Sequence, residues 1–282
     1  MKLPHRRRRA LAFAGGVLSL LFAAGASAAP QEPLWPDREE IELFLKKARV
    51  TAHHKIGAGV THPEEVTLEQ DGVVREAVFK DIDETTDSWR NELAAYGIDK
   101  LLGIGMVPPT VRRSIGGRQG SLQLWVTGST LREYDGGFPD LAGWRDQVSV
   151  MWLFDDLIAN VDRHLNNGMV SPERRLILID NSRSFRDMVE LRNNLNAKFN
   201  GTNARYFGVT SDADRGPFPV RYPRPLIERL RSVTDKEIKD AVGRYVSGWR
   251  QHQLLERRKR ILERLDAMGP AVLFDVKGSA GP

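Results

Sequence analysis

Apolar side chains keep two different spacings along this chain, and the change from one to the other divides it roughly in half. Ile41 to Ala48 repeats apolar residues at helical spacing and predicts a short helix. Beyond it the pattern alternates. Lys55-Ile56-Gly57-Ala58-Gly59-Val60 runs into Glu65-Val66-Thr67-Leu68-Glu69-Gln70, and Asp71-Gly72 separates that stretch from Val73 to Asp81. Asp-Gly between alternating segments marks a hairpin, because both turn positions take positive φ. The expected order is strand, glycine turn, strand, tight turn, strand. Asp87-Ser88 can cap a helix over Trp89 to Leu102, where apolar residues recur at Trp89, Leu93 and Tyr96, and again at Ala94, Ile98 and Leu101; Gly103 stops it. Prolines keep Val107-Pro108-Pro109-Thr110-Val111 extended. Ser121 to Val126 predicts one more strand.

The second half is mainly helical in pattern. Trp144 to Ile158 carries Trp144, Val148, Met151, Phe154 or Asp155, and Ile158 on one face. A polar loop, Asn160 to Asn167, follows at once, and Arg175 to Asp180 is a short apolar strand ending on an acid. Residues 187–224 are polar, with Gly and Pro, and predict a long loop holding one helix at most. Thr234-Asp235-Lys236-Glu237 has the form of a capping box. From Ile238 the helical spacing continues through Val242, Tyr245 and Trp249 to Leu265, as one long helix or two, and the tail after Gly269 is expected to be loose. The fold class is therefore α+β, with a small sheet and one helix ahead of a helical half.

Composition changes this picture at the start of the chain. His5-Arg6-Arg7-Arg8-Arg9, the apolar run Ala10 to Ala24 and the small residues Ala26-Ser27-Ala28 together predict a secretory signal peptide over residues 1–28. The apolar run is short for a membrane span. Residues 29–40, with Pro30, Pro33 and Pro36, follow as an extended leader. The whole chain holds 42 basic and 37 acidic residues, and residues 1–28 contain five of the basic ones and none of the acidic. Without them basic and acidic side chains balance, so nothing in the charge points to nucleic acid. Cysteine is absent, which excludes thiol catalysis and Cys-ligated metal centres.

Four features carry candidate chemistry. Gly57-Ala58-Gly59 sits at a strand turn, where bare backbone can approach phosphates. Lys80 ends a strand, and Glu92 lies on the next helix, the arrangement that grips nucleotide phosphates in protein kinases. Asp162 and Asn167 are five residues apart, the spacing of a kinase catalytic loop, in which the Asp accepts a hydroxyl proton and the Asn binds metal. Asp180 ends a buried strand, where a carboxylate can hold the metal that bridges phosphates. Taken singly, each has a plainer explanation as a turn, an exposed strand lysine or a cap. Their order along the chain is what joins them.

Asn160-Val161-Asp162-Arg163-His164-Leu165-Asn166-Asn167 resembles the N-x-D-R-H-x-x-N loop of atypical kinases: phosphatidylinositol kinases, HipA-type toxin kinases, and secretory-pathway kinases of the Golgi casein kinase and four-jointed type. The last group matches best. Asn91 to Leu102 followed by Val107-Pro108-Pro109-Thr110-Val111 is similar to their helix and following segment, and Ile179-Asp180-Asn181-Ser182-Arg183-Ser184-Phe185 resembles their metal-binding L-D-N-G-R-G-F stretch. The resemblance spans about residues 55–190 and implies a two-lobed protein-kinase-like fold, with a β-rich small lobe over 41–127, a helical large lobe over 128–270 and a loose tail from 271. It implies that Asp162 is the catalytic acid/base residue, that Lys80, Gly57, Gly59, Gln123 and Leu124 contact the nucleotide, and that Asn167 and Asp180 bind metal. Glu92 matches a residue that either pairs with the lysine or contacts the metal. Arg163 and His164 orient the loop. Two departures stand out: Ser182 and Ser184 replace glycines, and the group's disulfides are missing.

The expectation is thus an exported kinase, periplasmic or secreted, that uses ATP with Mg²⁺ or Mn²⁺ on a hydroxyl of a protein or sugar. It has no nucleic-acid partner and no membrane span after signal cleavage. AMP transfer on the same fold, or a non-catalytic binding module, are the alternatives.

Overall fold

The computed structural model describes residues 33–57, 63–138, 140–191 and 220–275. The predicted signal peptide, Gly59 and most of the polar stretch after 187 lie outside the described residues.

A helix, α1 (Arg38–Lys47), leads into a five-stranded antiparallel sheet of β1 (Arg49–Lys55), β2 (Glu64–Gln70), β3 (Val73–Lys80), β4 (Thr110–Ile115) and β5 (Arg118–Leu124), in the order β1-β2-β3-β5-β4. The β2–β3 hairpin turns through Asp71 (φ +52°) and Gly72 (φ +78°), as the Asp-Gly signal predicts. One face of the sheet buries Val66, Leu68, Ala77, Phe79 and Leu122 against Ile41 and Leu45 of α1. α1 starts inside the stretch expected as an extended leader, because its buried residues Ile41 and Leu45 need a first turn ahead of them. The first strand, Arg49–Lys55, lies just ahead of Gly57, whereas the alternating pattern is read only from Lys55 onward. It is an edge strand exposed on both faces, so its sequence carries no alternation to read. The β4–β5 hairpin turns through Gly116 and Gly117, both at positive φ, a pair that serves as a turn signal in its own right.

Between β3 and β4 runs α2 (Trp89–Leu102). Ser88 caps it through its hydroxyl, which accepts from the Arg90 amide at 3.2 Å, and Gly103 ends it at φ +68°. Its apolar residues Ala94, Ala95, Tyr96, Ile98 and Leu102 belong to the larger core, with α3 (Leu141–Ile158), α4 (Arg224–Ser232), α5 (Asp235–Val242) and α6 (Gly248–Met268). The helix that follows the small sheet is thus packed on the large lobe. Its polar residues are also buried: Asp99 accepts from the amides of Gly105, Met106 and Val107 at 2.8 to 3.2 Å and fixes the chain beyond the helix.

Contact between α2 and α5 depends on a missing side chain. A Cβ on Gly97 would lie 2.1 Å from the carbonyl oxygen of Ala241. Gly97→Ala is therefore expected to destabilise the fold by roughly 1–3 kcal/mol, despite the better helix propensity of alanine. Urea unfolding checks this, with an unchanged midpoint as the contrary result.

Short strands β6 (Ser129–Thr130), β7 (Gly168–Val170) and β8 (Leu176–Leu178) form a second sheet beside α3. The capping box at Thr234 is present, with the Glu237 amide donating to Thr234 Oγ1 at 3.2 Å and the Thr234 amide to Glu237 Oε2 at 2.7 Å. The apolar run from Ile238 is two helices: α5 ends at Gly243 (φ +51°), and Ser247 caps α6. α4 has no counterpart in the sequence expectations, although Leu226, Ile227 and Leu230 bury one face of it. Nor is the start of the tail loose. Leu273–Phe274 (β10) pairs in parallel with Tyr222–Pro223 (β9), and the Arg221 guanidinium lies 5.0 Å from the Phe274 ring centroid. That pairing joins partners some fifty residues apart, which local pattern does not report.

Candidate active site

β3 brings Lys80 to one end of the sheet. Lys55, Glu64, Phe79 and Leu122 stand in register across neighbouring strands. The β1–β2 connection that holds Gly57 therefore leaves the sheet at the end where Lys80 sits, and the Ile56 amide closes it on the Pro63 carbonyl at 2.8 Å.

Lys80 is buried, and its ammonium lies between two carboxylates: Nζ is 2.6 Å from Glu92 Oε1 on α2 and 2.8 Å from Asp180 Oδ1 beyond β8. Burial alone pulls the ammonium down, but Glu92 and Asp180 outweigh it and raise its pKa. The other oxygen of Glu92 accepts from the Asn181 amide at 2.9 Å, so this carboxylate pairs with the lysine and also holds the Asp180 segment. Asp180 has φ +54°, a left-handed backbone for a side chain at the turn. Burial pushes its carboxyl up, yet Lys80, the Ser182 hydroxyl (2.9 Å to Oδ1) and Arg163 hold it at about 2. It is ionised at any neutral pH.

The loop after α3 is built around Arg163. Its side chain is 6 % exposed, and Nε and Nη2 donate to the two oxygens of Asp155 at 2.9 and 3.0 Å. Nη2 also reaches Asn181 Oδ1 at 2.7 Å, and Nη1 donates to the carbonyls of Asn167 and Ile179. All five guanidinium donors are engaged, tying the loop to the helix before it and to the Asp180 segment after it. Asn160 accepts from the Asp162 amide at 3.0 Å, and Asn167 Nδ2 donates to the Asp162 carbonyl at 3.0 Å. The backbone of Asp162 is held from both sides, while its carboxylate is partly exposed. His164 Nε2 is 3.9 Å from one carboxylate oxygen and Arg183 Nη1 is 3.5 Å from the other. The Phe185 amide donates to the Ile158 carbonyl at 2.6 Å and closes the assembly on the end of α3.

Among the site residues expected from sequence, the structure thus gathers Lys80, Glu92, Asp162, Asn167 and Asp180 around one network. Gly57 is exposed in the turn near that end of the sheet. Gln123 lies on β5, where its Nε2 donates to Thr110 Oγ1 at 2.9 Å, and Leu124 packs against the small-lobe core. For a divalent cation, Asp180 and Asn167 supply hard oxygen donors of the right kind: one ionised carboxylate and, with Nδ2 committed to Asp162, one amide oxygen. Among the described residues no group of three or more His, Cys, Asp or Glu could hold a metal ion. The residues sequence reasoning missed are Asp155, Asn181, Asp87 and Arg183. Asp155 left a trace, an acid on the buried face of α3 eight residues before an arginine.

No family model and no curated protein sequence matches the chain. Solved structures do. A hydra Fam20 structure with sugar superposes with a TM-score of 0.54 at 14 % identity, covering 84 % of this chain and 92 % of that one. A Golgi casein kinase structure gives 0.51 at 14 % identity, covering 84 % of this chain and 77 % of the other. The chain has an atypical kinase-like fold of the Fam20 type.

Proposed function

We propose that this protein is an exported, metal-dependent kinase that moves the γ-phosphoryl group of ATP to a hydroxyl of a protein or a sugar. The observation that carries the reading is the ammonium of Lys80 held between Glu92 and Asp180, residues 12 and 100 positions away in sequence. A lysine fixed in this way presents positive charge beside a carboxylate suited to metal, which is what phosphate oxygens require. The likeness to solved kinases and the basic, apolar start of the chain support the rest. Among the described residues no helix is long and apolar enough to cross a membrane.

In this reading Lys80 binds α- and β-phosphate oxygens and Glu92 holds Lys80 in place. Asp180 and Asn167 would hold a divalent cation, which would supply charge neutralisation to the phosphates. Asp162, with its backbone fixed by Asn160 and Asn167, accepts the proton of the acceptor hydroxyl. Arg163 sets the distance between the last two groups. Most of the rate then comes from positioning and charge, not from covalent chemistry with the protein.

A nucleotide titration tests the donor site. At a hundred times Kd, ATP with Mg²⁺ or Mn²⁺ should stabilise the fold by about 2.7 kcal/mol, seen as a raised melting temperature that chelation abolishes. No shift with either metal would favour a module that keeps the fold without using nucleotide.

A further inference from the structure

We propose that Arg183 is a second phosphoryl-binding cation of this site, which leaves Asp162 for the transferring group when the donor is bound. The proposal rests on the kinase reading above.

The two arginines near Asp162 are built differently. Arg163 is 6 % exposed with every donor spent, so it is part of the frame. The Arg183 side chain is 38 % exposed. It is anchored through Nε, 3.0 Å from Oδ2 of Asp87, a buried residue just ahead of α2. Its Nη1 faces Asp162 Oδ1 at 3.5 Å, beyond a good hydrogen bond. One end of the guanidinium is thus fixed to the segment that leads into the helix carrying Glu92, and the other is loosely paired with the residue placed at the acceptor. Asp87, Asp162 and Asp180 all favour its charged form.

A phosphoryl group passing from a donor held by Lys80 and Asp180 to a hydroxyl beside Asp162 must come within reach of both carboxylates. Lys80 serves the Asp180 side of that path, and Arg183 is the cation placed on the Asp162 side. Phosphate oxygens carry more charge than one carboxylate and accept two parallel N–H bonds from a guanidinium, so they compete well for its Nη groups. In the step itself the acceptor oxygen bonds to the γ-phosphorus, and the bond from that phosphorus to the bridging oxygen breaks. ADP leaves with the electron pair, and the acceptor proton passes to Asp162. Arg183 stays protonated and contributes hydrogen bonds that strengthen as charge shifts.

The experiment uses the full chain with Arg183→Ala and Arg183→Lys, measuring kcat, KM for ATP, and affinity for ADP·Mg²⁺ with and without aluminium fluoride, a mimic of the transferring group. For Arg183→Ala, kcat should fall by roughly 30- to 1000-fold, with KM for ATP and ADP affinity within about threefold of wild type. The tightening of ADP by aluminium fluoride should drop at least tenfold, roughly the loss of one strong charge-assisted contact. Arg183→Lys, and guanidinium added to Arg183→Ala, should each restore part of the rate. Full kcat in the alanine variant, a loss confined to KM, or unchanged aluminium fluoride tightening overturns the proposal. A wild-type protein that neither transfers the γ-phosphoryl nor binds ADP more tightly with aluminium fluoride overturns the kinase reading, and this role falls with it.

Discussion

Asp162→Ala is expected to lower phosphoryl transfer by about 10²- to 10⁴-fold, the range in which a positioned general base acts. The size of the effect follows from how the loop is held. Asn160 and Asn167 fix the backbone on either side of Asp162, and Arg163 fixes the loop to both of its neighbours. The Asp162 carboxylate is bound only loosely, by a 3.5 Å contact to Arg183 and a 3.9 Å contact to His164. In the proposed mechanism its removal therefore takes away the reacting group and leaves the frame standing. Nucleotide affinity should stay within about threefold of wild type, since the donor is assigned to Lys80 and Asp180. Transfer to a peptide library and a set of free sugars measures the first quantity, and titration with ATP and Mg²⁺ measures the second. Retained transfer would remove Asp162 from the mechanism.

Lys80→Met should fail in the opposite way, losing stability and donor binding together. Glu92 is 2 % exposed, and Lys80 gives it the opposite charge it needs. Stranding a buried carboxylate costs about 3–5 kcal/mol, which should appear as a large fall in melting temperature. Phosphate binding should weaken by roughly 10- to 100-fold, the loss expected for one or two charge-assisted hydrogen bonds. The double variant Lys80→Met/Glu92→Gln separates the two losses. Removing both charges while the amide oxygen keeps its bond from Asn181 should recover much of the stability, while donor binding stays weak. A single variant as stable as wild type would contradict the coupling drawn between Lys80 and Glu92.

Much of the site was legible in the sequence because its chemistry is carried by residue types at fixed local spacings. Asp162 and Asn167 share one loop, Lys80 ends an alternating strand, and Asp180 ends an apolar one. Each can be placed without knowing its partners elsewhere in the fold. The α+β class follows from the apolar spacings and the kinase-like fold from the motif resemblance, and the superposition with solved kinase structures agrees. What the sequence hid depends on pairing at long range. Asp87 meets Arg183 across 96 positions, and Leu273 meets Tyr222 from the far side of three helices. The start of β1 was hidden for the reverse reason: an edge strand with two wet faces has no hydrophobic period to show. α2 was legible as a helix but not as part of the larger core. Its buried Asn91, Glu92 and Asp99 look like an exposed face until their partners Ser182, Lys80 and the amides after Gly103 are known.

The most direct measurement gives the protein ATP labelled at either the α- or the γ-phosphate, with Mg²⁺ or Mn²⁺ and the same peptide and sugar acceptors, beside Asp162→Ala and Asp180→Ala. γ-Label should pass to an acceptor with the wild-type protein alone, and α-label should not. Transfer of α-label would make the protein a nucleotidyl transferase. γ-Transfer that survives in both variants would contradict the site described.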